Sequence, residues 1–199
     1  MLQYILTESP RYSVAEQCQM AIEGGCSWID LRLPDMTDDE VRAAIDPDAI
    51  EMCRQAGIFL TVDDRPELAR ELGLHGVRFT AGGPTAQAAS PAQLRDELGP
   101  EAVIGFICAD PSAAPAMAAA DIDYICTPAS FDSDRRREFI AAVRALDVAI
   151  PIVAQGDITA DNATDYLAEG FNGLAVGRYI TDAPDPVEAV AAIIAAISC

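Results

Sequence analysis

The chain has 199 residues, 51% of them apolar, and a formal net charge of −19. Such length and apolar content suit one globular domain with a sizeable core and exclude a disordered chain. The acidity excludes nucleic acid and anionic membrane surfaces as partners, and because all 13 basic residues are arginine, lysine Schiff-base chemistry and a phosphate-loop lysine are excluded too.

In chain order, the apolar residues 3–6 read as a first strand. Residues 14–22 follow at helical spacing and stop at Gly24-Gly25. Residues 27–33 alternate, with Trp28, Asp30 and Arg32 on one face and Ile29, Leu31 and Leu33 on the other. Thr37 with Glu40 forms a capping box; the helix it starts is expected to break near Asp46-Pro47, resume to residue 56 and close at Gly57. Further strands are expected at 58–62, 76–79, 102–107, 123–126, 151–154 and 174–176. Helices are expected at 65–72, 91–98, 110–120, 135–146, 165–169 and 186–197. Thr159 or Asp161 is the expected N-cap of the helix at 165–169. Loops fall at 81–84 and 127–134.

Eight strands thus alternate with eight helical segments. The pattern predicts a parallel sheet closed as a single-domain (β/α)₈ TIM barrel over residues 1–199, of the phosphate-binding type. No apolar run reaches the roughly eighteen residues that would cross a bilayer, and the first residues lack the basic start of a secretory signal, so a cytoplasmic location is expected. The lysine-free, acidic composition fits either a high-salt habitat or a codon bias towards Ala and Arg. Six cysteines, at 18, 26, 53, 108, 126 and 199, show no C-x-x-C pair and no zinc spacing; they read as small apolar residues of a reducing compartment.

In this fold, function gathers at the C-terminal ends of strands. That rule selects Asp30 and Arg32, Asp63 and Asp64, Arg78, Cys108, Thr127, the run Gln155-Gly156-Asp157, and Gly177-Arg178. Asp30 and Arg32, two apart on one face, either pair with each other or clamp a polar ligand. Asp63 and Asp64 suit Mg²⁺, which wants carboxylate oxygen, or Asp64 caps the helix that follows. Cys108 and Cys126 close adjacent strands, as a reactive pair or as apolar filling. Gly156 and Gly177 follow the last two strands, where backbone N–H groups and a short extra helix often hold phosphate; the plainer alternative is two tight turns. The one histidine, His75, falls on the opposite rim and reads as structural. Any general acid or base at the site is then Asp, Cys, Tyr or water.

The order of these segments resembles the thiamine phosphate synthase and thiazole tautomerase superfamily over nearly the whole chain. The family's G-x-x-x-x-Q-x-R-x-K pattern appears from Gly25 as GCSWIDLRLP, and its N-D-R as Asp63-Asp64-Arg65. G-V-H-L-G appears as Gly76-Val77-Arg78-Phe79-Thr80, and P-V-V-A-x-G-G-I as PIVAQGDI from Pro151. The segments at Ile104-Gly105, Asp123-Tyr124-Ile125 and Gly173-Leu174-Ala175-Val176 match in order as well. The resemblance implies a transferase of thiamine biosynthesis, or a tautomerase-type isomerase, acting on small phosphorylated molecules; an oligomer is compatible with it. It implies Asp30 and Arg32 as the catalytic pair, with Arg32 at a pyrimidine diphosphate. It implies Asp64, beside Asp63, as ligand to Mg²⁺. Arg78, Thr127, Gln155, Gly156, Asp157, Gly177 and Arg178 would surround the phosphorylated ligand, with Gly156 and Gly177 on the thiazole phosphate.

The chain also departs from the pattern. The family glutamine is Asp30, the lysine is Pro34, and the strand-five serine is Ile107. The second metal aspartate falls on or near Gly83, and the second glycine of the phosphate turn is Asp157. Arginines replace lysine in the loop after strand six, and the tautomerase histidine falls near Ala109. The expectation is a synthase-like barrel whose classical activity is weakened or lost; the alternative is a catalytically silent relative that binds a ligand or partner. A metal-dependent sugar-phosphate epimerase ranks last, since it wants histidine ligands.

Overall fold

The structure, a computed structural model, describes residues 1–45, 47–80 and 91–198, the side chains of residues 91 and 92 excepted. Eight strands run in parallel: β1 (Leu2–Leu6), β2 (Trp28–Leu31), β3 (Phe59–Asp63), β4 (Gly76–Phe79), β5 (Val103–Ile107), β6 (Tyr124–Cys126), β7 (Ile152–Gln155) and β8 (Gly173–Val176). They pair in sequence order, and β1 also pairs with β8, with Leu2 opposite Leu174 and Tyr4 opposite Val176. The sheet is therefore a closed barrel. The register sets Asp30 beside Thr61 and Asp63 beside Arg78. Those two adjacencies place most of the polar interior.

The helices outside the barrel are α1 (Val14–Glu23), α2 (Asp38–Ala44), α3 (Pro47–Gln55), α4 (Pro66–Leu72), α5 (Pro91–Leu98), α6 (Ala114–Ala119), α7 (Ser133–Ala145), α8 (Ala163–Ala168), α9 (Arg178–Thr181) and α10 (Pro186–Ile197). The helix expected after β2 is indeed two, α2 and α3; residue 46, where the break was placed, lies outside the described residues, as does the loop expected at 81–84. The Thr37–Glu40 capping box forms, and a second one, Ser13–Glu16, starts α1. The segment expected as a helix from 110 begins instead as a 3₁₀ turn, Pro111–Ala113, with the Asp110 carboxylate accepting from Ser112 N–H. Among the described residues no helix is long and apolar enough to cross a membrane.

Two layers of apolar side chains hold the barrel. The larger lies between strands and helices. The smaller fills the barrel axis with Ile5, Trp28, Tyr124, Cys126, Val153 and Ala175. Gly105 is required there, because a Cβ at that position would stand 2.1 Å from the Tyr124 ring. Trp28 meets the Tyr124 ring edge-on at 5.0 Å, and the Tyr124 hydroxyl accepts from Gln3. On the N-terminal side His75 is structural, as its position suggested: Nδ1 accepts from Leu60 N–H at 3.0 Å. Cys108 and Cys126 are both buried free thiols.

Candidate active site at the C-terminal rim

Two clefts open side by side at the C-terminal ends of the strands. One, of about 490 Å³, follows β2, β3 and β4 and is lined by Arg32, Asp63, Asp64, Arg65 and Thr80 among others. The other, of about 860 Å³, follows β7, β8 and β1 and is lined by Gln155, Gly156, Asp157, Gly177 and Arg178, with Thr7 on its far wall. Arg32 lines both. Its side chain is 42% exposed, with Nε 3.9 Å from Asp63 Oδ2.

Below the first cleft lies a buried ion network. The Arg78 guanidinium donates from Nε and Nη2 to the two oxygens of Asp63 at 2.7 and 2.8 Å. Nη2 also stands 3.0 Å from Asp30 Oδ2. Asp30 Oδ1 accepts from the Thr61 hydroxyl at 2.6 Å, and Thr61 in turn accepts from the Trp28 indole. The Asp30–Arg78 contact is an ion pair without hydrogen-bond alignment, which leaves Asp30 Oδ2 without a hydrogen-bond partner; Arg78 Nη1 has none either. Burial pushes the Asp30 carboxyl up to about 8; the Arg78 charge opposes that rise and Asp63 adds to it. For Arg78 burial works against the charge, but Asp30 and Asp63 overcome it and hold the guanidinium well above its ordinary value.

This network corrects two expectations. Asp30 does not pair with Arg32, because it lies at the barrel axis with no exposure and Arg78 reaches it across β3. Arg78, expected at the ligand, is itself fully buried. Thr127 is buried too, and its hydroxyl accepts from Gln155 N–H at 3.4 Å, stapling β6 to β7 rather than opening into the cleft.

Asp64 is not the cap of α4: the N-cap residue is Arg65, and no side chain bonds there. Asp64 has φ 55°, the left-handed region that Asp tolerates better than most residues. Its carboxylate accepts from the Thr80 N–H at 2.9 Å and from the Thr80 hydroxyl. Arg65 donates to the carbonyls of Leu33 and Met36 and to Asp38, closing the loop after β2.

As a seat for Mg²⁺ this donor set is lean. Both oxygens of Asp63 are committed to Arg78. Among the described residues no three His, Cys, Asp or Glu side chains stand together to hold a metal. The place of the second family aspartate, on or near Gly83, lies outside the described residues. At the rim Asp64 offers a carboxylate that already accepts from Thr80, so a hard cation there would need most of its oxygen ligands from outside the protein; the described residues form no all-protein cage.

The second cleft is built by backbone. After β7, Asn162 accepts from Thr159 N–H and donates to the Asp157 carbonyl, bracing the turn that carries Gly156. Asn162, not Thr159 or Asp161, is the residue that starts α8. After β8, Gly177 packs on β1: a Cβ there would meet the Ile5 carbonyl at 3.3 Å, so β1 would have to give by a few tenths of an ångström. Helix α9 begins directly after it. Asp157 and Arg178 are exposed on the rim.

Gly156, Asp157, Gly177 and Arg178 therefore share one end of the molecule with Arg32 and Asp64. Sequence reasoning missed Thr7, Thr61, Thr80 and Tyr179. Thr61 had a signal, a hydroxyl in the apolar run of β3, and Thr80 directly follows β4. Thr7 and Tyr179 had none, since the closure of β8 on β1 brings them to the cleft.

The architecture thus defines a (β/α)₈ barrel with paired rim clefts that share one arginine. A family model described as thiamine monophosphate synthase matches residues 3–180. A thiamine-phosphate synthase of Bacteroides fragilis is 31% identical over 203 aligned residues, which cover 94% of this chain and 95% of that one. One from Haloarcula marismortui is 34% identical over 187 residues, covering 89% and 86%. Among solved structures, a thiamine phosphate pyrophosphorylase from Pyrococcus furiosus superposes with a TM-score of 0.80 at 23% identity, covering 98% of this chain and 95% of that one. The chain belongs to the thiamine monophosphate synthase family.

Proposed function

We propose that the rim binds two phosphorylated substrates side by side, and that their coupling is weakened relative to the family pattern. A thiazole phosphate sits over Gly156 and Gly177 with Arg178 beside it. A pyrimidine diphosphate occupies the neighbouring cleft against Arg32, with Asp64 as the carboxylate for its Mg²⁺. The ion, when bound, neutralises the diphosphate as a leaving group. The observation that carries this reading is the place of Arg32, the one cation among the described residues that lines both clefts. A guanidinium there spans both anions and brings the reacting ends together.

The weakening follows from what the clefts lack. Pro34 and Ile107 bring no charge or hydroxyl where the family pattern has lysine and serine. Asp157 sets a carboxylate beside the phosphate turn. Removing one group that stabilises developing charge in a transition state costs about 10²–10³-fold in rate, and here several are gone together.

The test is heat denaturation with thiazole phosphate, thiamine phosphate, pyrophosphate and inorganic phosphate, followed by a coupling assay with Mg²⁺. Upward shifts with thiazole phosphate and pyrophosphate are expected, with no detectable coupling. Robust Mg²⁺-dependent turnover would overturn the weakening. No shift with any of the four would leave a silent, partner-binding relative, the reading that Asp157 and the commitment of Asp63 to Arg78 favour.

A further inference from the structure

Between β1 and the outer helices lies a buried polar hub that the chemistry above does not use. The Tyr4 side chain is 1% exposed, as is Gln17 of α1, and Thr181 of α9 is 3% exposed. The Tyr4 hydroxyl is 2.8 Å from Gln17 Oε1 and 2.9 Å from Thr181 Oγ1. Gln17 Nε2 donates to the carbonyls of Thr7 and Tyr12, at 3.1 and 3.4 Å. Those two bonds orient the amide, so its oxygen must face Tyr4. The single tyrosine proton then goes to Gln17, and Thr181 donates to the tyrosine oxygen.

This hub holds both walls of the second cleft. Thr7, at the end of β1, lines one wall, while Arg178 and Tyr179 of α9 line the other. Tyr4 fixes Thr181 directly and fixes Thr7 through Gln17. Arg11 ties the same segments again, donating to the Ala183 carbonyl at 3.0 Å.

We propose that Tyr4 is a positioning residue for the anion cleft: its hydroxyl sets α9, and with it the Gly177–Arg178 turn, against the end of β1. The inference rests on the reading that this turn receives a phosphate. Tyr4 touches no ligand, and its effect runs through Thr181 and Gln17.

The experiment is calorimetric titration of the full chain with inorganic phosphate and with pyrophosphate. It compares wild type, Tyr4→Phe, Thr181→Val, Thr181→Ser and the Tyr4→Phe/Thr181→Val pair. Tyr4→Phe and Thr181→Val are each expected to weaken phosphate binding about tenfold, the pair no further than the worse single change, since both break the Tyr4–Thr181 contact. Thr181→Ser keeps the hydroxyl and is expected to bind as wild type does. If Tyr4→Phe does not fold, Thr181→Val carries the same comparison. Lower melting temperatures with unchanged phosphate affinity would make the hub merely structural and overturn the proposal. Failure of the wild type to bind either anion would sink the phosphate reading itself, and this inference with it.

Discussion

Arg78 grips Asp63 through two parallel N–H···O bonds of 2.7 and 2.8 Å at the floor of the first cleft, with the guanidinium fully buried. Three departures from the family pattern meet in that grip: Asp30 for glutamine, Asp63 for asparagine and Arg78 for histidine. Singly each puts a charge into the interior. Together two aspartates, Asp63 ion-paired and Asp30 pushed towards its protonated form by burial, surround one guanidinium, so the three positions behave as one unit.

Breaking that unit is expected to be costly. Arg78→Met takes away the bidentate partner of Asp63 and leaves it only Arg32, 3.9 Å away at the cleft; unpairing a buried ion pair costs up to about 3–5 kcal/mol. Urea unfolding measures it. Changing all three residues together, Asp30→Gln, Asp63→Asn and Arg78→His, removes every charge and is expected to recover most of that loss. A triple variant as unstable as Arg78→Met would show that the three do not act as a unit.

The same network makes stability depend on pH in a definite direction. The Asp30 carboxyl is pushed up to about 8 in the fold, first by burial, and titrates near 4 in the unfolded chain. Between those values the folded state holds a proton that the unfolded state has released. The Asp30 contribution to stability therefore falls as pH rises from about 4 to about 8, by at most about 1.4 kcal/mol per pH unit. Asp30→Asn cannot titrate and is expected to lose this slope. Urea unfolding at pH 5, 7 and 9 should show the variant gaining on wild type up to about pH 8 and holding level beyond. Parallel curves would remove the assignment.

The barrel was legible because its signal repeats: eight apolar strand runs alternate with helical segments, and a capping pair, Thr37 with Glu40, fixed one helix start to the residue. The rim positions followed from the strand ends. Partners across the barrel axis were not legible. Face alternation in β2 put Asp30 with Arg32, yet alternation describes one strand, while a long side chain such as Arg78 reaches past its neighbour strand. Tyr4 and Thr181, 177 positions apart, meet only because β8 closes on β1. Asp64 shows a local limit: an aspartate before a proline-started helix suggests a cap, but its positive φ turns the carboxylate to Thr80 instead.

Because Arg32 lines both clefts and Arg178 only one, their variants are expected to separate. Arg32→Ala should weaken pyrophosphate and thiazole phosphate alike. Arg178→Ala should weaken thiazole phosphate alone. A charge-assisted hydrogen bond contributes about 1.5–3 kcal/mol, so each loss should be roughly 10- to 100-fold in calorimetric titration. Equal effects of the two variants on pyrophosphate would contradict two clefts sharing one arginine.

Asp157 stands exposed beside Gly156, where the family pattern has a second glycine. It lines the same cleft as that turn, and two exposed charges within a few ångströms repel by about 1 kcal/mol in water and more near a protein surface. Asp157→Asn and Asp157→Gly are therefore both expected to raise thiazole phosphate affinity, by about fivefold to tenfold at low salt. Raising salt to 1 M shortens the screening length from about 10 Å at 0.1 M to about 3 Å, so the gain should shrink towards nothing. A gain with glycine but not with asparagine would assign the effect to backbone freedom instead of charge. No gain with either, at any salt, would mean that the anion does not sit on this turn.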